Sequence, residues 1–187
     1  MRTFPFFNRL VRRAACAGFA AVLMSVLPVF AAPVPVIFDT DMGNDVDDAL
    51  ALAMLHSLQS RGQCRILAVT LTKNDPLAGP FVDAVNTFYG RGEIPVGVRR
   101  DGGVTPETCQ YLHVVTNRDG GALRYPHDLD NNAAPEAVAL LRRTLAGEPD
   151  GTVTIVQVGF FANLARLLDT PPDAVSPLAG KDLVKQK

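Results

Sequence analysis

Val34-Pro35-Val36-Ile37-Phe38-Asp39-Thr40-Asp41-Met42-Gly43-Asn44-Asp45-Val46-Asp47-Asp48-Ala49-Leu50-Ala51-Leu52-Ala53-Met54-Leu55 joins two apolar runs through a turn with five carboxylates in ten residues. The first run reads as a strand, and the second as the opening turns of a buried helix. A strand, an acidic turn holding one glycine, and a helix form the start of an α/β unit. In such sheets ligands bind at the carboxyl ends of the strands, where this turn falls. Crowded carboxylates destabilise a fold unless something neutralises them, and hard divalent cations prefer clustered carboxylate oxygens. A solvated acidic turn capping the helix accounts for Asp47 and Asp48, because helix N-termini favour negative charge. It leaves Asp39, Asp41 and Asp45 without a reason. The expectation is therefore a metal or catalytic site.

Downstream, a helix from about Asp48 to Leu58 ends near Arg61-Gly62, a plausible C-cap. Arg65-Ile66-Leu67-Ala68-Val69-Thr70-Leu71 is a second buried strand. It delivers Thr72-Lys73-Asn74-Asp75 to the same edge of the sheet as the acidic turn. Phe81 to Tyr89 reads as a helix and Ile94 to Val98 as a short strand. Arg99 to Asn132 is irregular, which in a compact domain marks a functional loop or one carrying short helices. Asn132 offers an N-cap to a helix holding Pro135 and Ala137 to Leu145. Thr152 to Val158 is a clear strand, followed by Gly159 and a helix from about Ala162 to Leu168. Strands alternate with helices, so the class is α/β with a largely parallel, Rossmann-like sheet. Lys181 to Lys187 reads as a lead-in to another element, as in a reading frame cut short.

Upstream, Arg2, Arg9, Arg12 and Arg13 form a basic region before the uncharged apolar run Ala14 to Val29. Val29-Phe30-Ala31 supplies small residues of the kind read by a signal peptidase. The run is short for a membrane span, which needs about 20 residues. Residues 1–31 are expected to be a cleaved signal peptide, leaving 32–187 as an exported, periplasmic domain with no membrane anchor. Cleavage removes four arginines and no acid from a chain with 18 Lys+Arg against 19 Asp+Glu. A mildly acidic domain without a basic cluster gives no electrostatic basis for nucleic-acid binding. Cys64 and Cys109 then remain, either as a pair or as buried free thiols. Neither has partners at zinc spacing.

Asp39-Thr40-Asp41-x-Gly followed by Asp47-Asp48-Ala49-Leu50-Ala51 resembles the N-terminal signature of the inosine-uridine nucleoside hydrolase family. Val158-Gly159-Phe160-Phe161-Ala162-Asn163-Leu164-Ala165 is similar to that family's second block. The two blocks come in the family's order, and the resemblance runs from about Val34 to the end. One departure stands out: the aspartate pair lies two positions later after Asp41 than in the commoner motif. Asp47 and Asp48 are taken as the family pair because the Ala-Leu-Ala helix follows them directly, which leaves the role of Asp45 open.

The resemblance implies a calcium-dependent N-ribohydrolase of ribonucleosides. It implies Asp41 and Asp48 as Ca²⁺ ligands through their side chains and Val158 through its main-chain carbonyl. Asp41 is also implied as general base, Asp47 as the holder of the ribose hydroxyls, and Asn74 as a sugar contact. Asn74 reads almost equally well as a plain turn residue. Family members commonly form homo-oligomers. The family's last calcium aspartate, its leaving-group histidine and its 5′-hydroxyl contacts are expected from a further half-domain outside these residues, so the activity of this chain alone is expected to be weak or absent. His56 reads as a packing or surface residue, while His113 and His127 are candidate substrate contacts.

Two other readings remain. A haloacid-dehalogenase-type phosphatase also begins strand-Asp-x-Asp, with Asp39 as nucleophile and Asp41 as acid/base. It leaves the Asp47-Asp48 pair unexplained and places Gly43 where threonine or valine is usual. The other is an exported, non-catalytic domain binding calcium or a ribosyl group. An EF-hand fails, because no frame puts Gly at its sixth position and Glu at its twelfth.

Overall fold

The computed structural model describes residues 31–101 and 111–187. The leader up to residue 30, and Cys109, lie outside the described residues. Among the described residues, no helix is long and apolar enough to cross a membrane.

The central strand is β1 (Val34–Thr40). Successive strand residues face opposite sides, and here both sides are covered. Val36 and Phe38 enter a large apolar cluster with Leu52, Leu55, Ile66, Val69 and Val82. Ile37 enters a second one with Leu67, Val138, Leu141, Leu145 and Leu167. Phe38 and Ile37 are fully buried, and each such side chain contributes about 1.5–3 kcal/mol. This is why the strand is apolar without alternation.

The rest follows in βα order. Helix α1 (Asp47–Ser60) leads to β2 (Cys64–Leu71), α2 (Ala78–Phe88) and β3 (Val96–Gly97). A 3₁₀ turn (Leu112–Thr116) and a small antiparallel hairpin, β4 (Arg118–Asp119) with β5 (Ala122–Leu123), interrupt the irregular stretch. Then come α3 (Ala137–Gly147), β6 (Thr154–Gln157), α4 (Ala162–Leu168) and α5 (Gly180–Gln186). The main sheet has the order β3-β2-β1-β6, and every pairing in it is parallel. The chain runs β1, β2, β3 in one direction and then returns to place β6 on the other side of β1. The order reverses between β1 and β6, which is where open α/β sheets bind ligands.

Two expectations need correction. Helix α1 is not buried all round: Val46, Leu50 and Met54, spaced four apart, are each more than half exposed. Its contacts are with β2 and α2, which cover one side. Helix α3 is capped by Glu136, whose carboxylate accepts from Ala139 N at 3.0 Å, and not by Asn132. Val98 bridges Glu136 in parallel, with Val98 N donating to Pro135 O and Ala137 N to Val98 O, each at 2.9 Å. Backbone committed to that pairing cannot be helical before Ala137. The segment from Lys181 forms most of α5 (Gly180–Gln186), with Lys187 at its C-terminal end. Leu183 is buried in the second cluster, and Lys187 Nζ pairs with Asp150 at 2.7 Å.

Candidate functional site

The turn after β1 is fixed from below by Asp39, which is fully buried. Its carboxylate accepts from Thr70 Oγ1 at 2.6 Å, Asn163 Nδ2 at 2.8 Å and Gln157 Nε2 at 3.3 Å. One side chain thus ties β1 to β2, β6 and α4. Burial raises its pKa, and the three donors oppose that rise. This places Asp39 as an internal anchor, and it is not turned toward solvent as a nucleophile would be.

Thr72 adds a second tie at the same edge. Its N–H donates to Thr40 O at 2.9 Å, and its hydroxyl accepts from Phe160 N at 3.2 Å. Val158 N donates to Asp39 O at 2.9 Å, so the peptide after β6 runs alongside the end of β1. Gly159 then comes so near that a Cβ there would lie 2.4 Å from Asp41 N and 2.7 Å from Thr40 C. Only glycine lets those two strand ends meet.

Asp45, Asp47 and Asp48 gather at the start of α1, with one carboxylate oxygen from each within 4.8 Å of the other two. Asp48 is buried and accepts from Thr40 Oγ1, whereas Asp45 and Asp47 are exposed. Burial pushes Asp48 up to about 6, with the charges of Asp41 and Asp47 adding to the rise. Asp45 is raised by its hydrogen bond to Asp47 and by that residue's charge, while the same hydrogen bond lowers Asp47. Neighbouring carboxylates disfavour one another's charged form. Tyr111 lies against the turn, its hydroxyl 3.4 Å from Met42 Sδ, and burial pushes its phenol upward.

Asp41 is not one of that acidic trio. Its Oδ2 lies 2.9 Å from Lys73 Nζ, and the Lys73 side chain is 1 % exposed. Asn74, next in sequence, is exposed at the mouth of the same edge. Asp41, Asn74 and Val158, on the turns after β1, β2 and β6, and Asp47 and Asp48, at the start of α1, thus all lie at the carboxyl edge of the sheet. The histidines are elsewhere in role. His56 is fully buried, with Nε2 2.9 Å from Asn86 Oδ1 and its ring stacked on Tyr89 at 4.5 Å. His127 Nδ1 is 2.8 Å from Tyr125 O, and His113 is exposed on the 3₁₀ turn. Cys64 is a buried free thiol donating to Leu55 O at 3.4 Å.

The donors at this edge are carboxylate and carbonyl oxygens, with no imidazole or thiolate among the gathered side chains. Such a set suits a hard divalent ion over zinc or copper. The buried, crowded Asp48 supplies the unmet charge that such an ion would neutralise. The residues present therefore fit a hard divalent cation. Lys73 and the Asp39 network were not read from the sequence as site residues. The only sequence signal for the first was its place in Thr72-Lys73-Asn74-Asp75, delivered to the same sheet edge as the acidic turn.

The fold and this edge define a doubly wound α/β protein with an oxygen-lined, cation-suited site at its switch point. The sequence profile of the inosine-uridine preferring nucleoside hydrolases matches residues 36–180, and the chain belongs to that family. An uncharacterized protein of Schizosaccharomyces pombe is 29 % identical over 145 residues, covering 75 % of this chain. The chain spans 44 % of that relative's length. The family match leaves the phosphatase reading without support, in keeping with the internal position of Asp39.

Proposed function

We propose that the protein serves calcium-dependent hydrolysis of the N-glycosidic bond of ribonucleosides, converting nucleoside and water to base and ribose. The observation that carries this is the acidic turn between β1 and α1, set beside the glycine turn after β6, in a chain of this family. Asp41, Asp48 and the Val158 carbonyl would hold the ion. Calcium, when bound, supplies an electrophilic centre that orients water and makes its proton easier to remove.

Three side chains of this chain take the remaining roles assigned to it. Asp41 accepts the proton as water attacks C1′ of the ribosyl group. Asp47 fixes the ribose hydroxyls, holding the sugar in place as positive charge builds at C1′. Asn74 contacts the sugar from the end of β2. Export by a leader ending at Ala31 belongs to the same reading, and N-terminal sequencing of the mature chain tests it.

A second reading is a domain that binds calcium or a ribosyl group without turning it over. It is favoured by Asp41, the general base of the first reading, being paired with Lys73 at 2.9 Å. One experiment separates the two: hydrolysis of nucleosides and of p-nitrophenyl riboside, with p-nitrophenyl phosphate as control, in calcium, magnesium or chelator. Riboside cleavage that needs calcium and falls by about 10²–10⁴-fold in Asp41→Asn supports the hydrolase. Calcium uptake with no cleavage supports the binding domain, and phosphate release would end both readings.

A further inference from the structure

Lys73 has no part in the roles above, yet it occupies the middle of the site. Its ammonium is buried, lies 2.9 Å from Asp41 Oδ2, and makes no aligned hydrogen bond among the described residues. Its other neighbour of note is the Phe160 ring, with the centroid at 5.8 Å. A buried ammonium ordinarily directs its protons at several acceptors. Here it is held by charge, with its hydrogen-bonding capacity unmet. Its charge also reaches Asp47 and Asp48, adding to the lowering of the first and partly opposing the rise of the second.

We propose that Lys73 is a built-in counter-ion that holds Asp41 in the metal-free protein and must leave it when a divalent cation binds, thereby setting the affinity for that cation. The inference rests on the cation-site reading given above. An ammonium and a divalent ion on one carboxylate repel each other, and the burial of the Lys73 side chain limits how far solvent screens that repulsion. One positive charge does not neutralise Asp41, Asp45, Asp47 and Asp48, so the turn still attracts a divalent ion. Binding then proceeds by exchange, and the work of moving the ammonium is subtracted from the affinity. The exposed Phe160 ring already lies 5.8 Å from the ammonium, a cation–π partner that Lys73 can keep when it gives up Asp41.

The test is a calorimetric titration of the full chain with calcium chloride, using wild type, Lys73→Met, Lys73→Arg and the exposed control Lys185→Met. Lys73→Met is expected to bind calcium roughly tenfold or more tightly, the ordinary size of a coupling between two binding events. Lys73→Arg stays near wild type, and Lys185→Met does not change. Equal or weaker binding by Lys73→Met overturns the inference while leaving the cation site standing. Absence of calcium uptake in all four proteins ends the cation-site reading and this inference with it. Should Lys73→Met fail to fold, the wild type decides. Its Lys73 ammonium NMR signal, assigned by its absence from Lys73→Arg, shifts on calcium addition, and a signal that stays put overturns the inference.

Discussion

Burial and the charges of Asp41 and Asp47 push Asp48 up to about 6, against the hydrogen bond from Thr40 and the charge of Lys73. A carboxyl whose folded value lies above its unfolded one contributes stability below the unfolded value of 3.8, and that contribution is lost as pH rises through about 6. At neutral pH, ionised Asp48 therefore weakens the metal-free fold. Asp48→Asn keeps an acceptor for Thr40 and removes the charge. In chelator the variant is expected to melt higher, by about 2–4 °C for each kcal/mol relieved. The rise in melting temperature that calcium gives wild type is expected to vanish in the variant. Melting both proteins with and without calcium checks this, and a lower melting point for the variant in chelator would refute the crowding argument. At this scale the acids were legible because so many carboxylates directly after an apolar strand repel one another unless a cation or a substrate meets them. Lys73 was not, because an isolated lysine reads as a surface residue, and its pairing with Asp41 depends on β1 and β2 ending side by side. Asp39 was undecided for the same reason, since Thr70, Gln157 and Asn163 come from three other elements.

Helix α1 carries its apolar residues on every side, so its existence was plain while its inward face was not. The face is identified by His56, which turns toward α2 and is fully buried there. Nε2 pairs with Asn86 Oδ1 at 2.9 Å, and Arg91 Nη1 lies 3.1 Å from Nδ1. An arginine can only donate, so Nδ1 is the acceptor and the ring is neutral. Burial lowers its pKa, the Asn86 bond opposes that, and the Arg91 charge lowers it further. With the folded value below the unfolded 6.5, this clasp gives full stability above pH 6.5 and loses it as pH falls below that value. Urea unfolding at pH 7.5, 6.5 and 5.5 is expected to show a steeper acid loss in wild type than in His56→Gln. Parallel losses would assign the acid sensitivity to another group. Helix α3 shows the opposite limit of sequence reading. Asn132 is a good N-cap by type, but a single bridge between Val98 and Glu136 moves the start of the helix to Ala137. Local preference was overruled by a partner some forty residues away.

For the molecule as a whole, the alternation of strands and helices was enough to give a parallel α/β sheet, because buried strands and amphipathic helices leave few other packings. Strand order was not legible, since parallel pairing is a contact between distant segments and leaves no local mark. That order makes the site: β6 returns to the open side of β1, and the turns after the two strands then face each other. Gly159 is where they touch. Its hypothetical Cβ would lie within 3 Å of Thr40 and Asp41 backbone atoms and of Thr72 Oγ1. Backbone cannot swing aside as a long side chain can, so Gly159→Ala must push the end of β6 away from β1. The Val158–Asp39 and Phe160–Thr72 hydrogen bonds are the first to stretch. Overpacking of this kind costs about 1–3 kcal/mol. The same displacement carries the Val158 carbonyl away from Asp41, so calcium binding should fall along with stability. A distant glycine separates the two effects: Gly147→Ala meets nothing within 4 Å and has no unusual φ, so it should leave calcium affinity unchanged. Comparing urea midpoints and calcium titrations for the two variants tests the idea that one close approach both closes the sheet and shapes the site. If Gly159→Ala loses stability but binds calcium as wild type does, the Val158 carbonyl is not a ligand, and the ion is held by the turn after β1 alone.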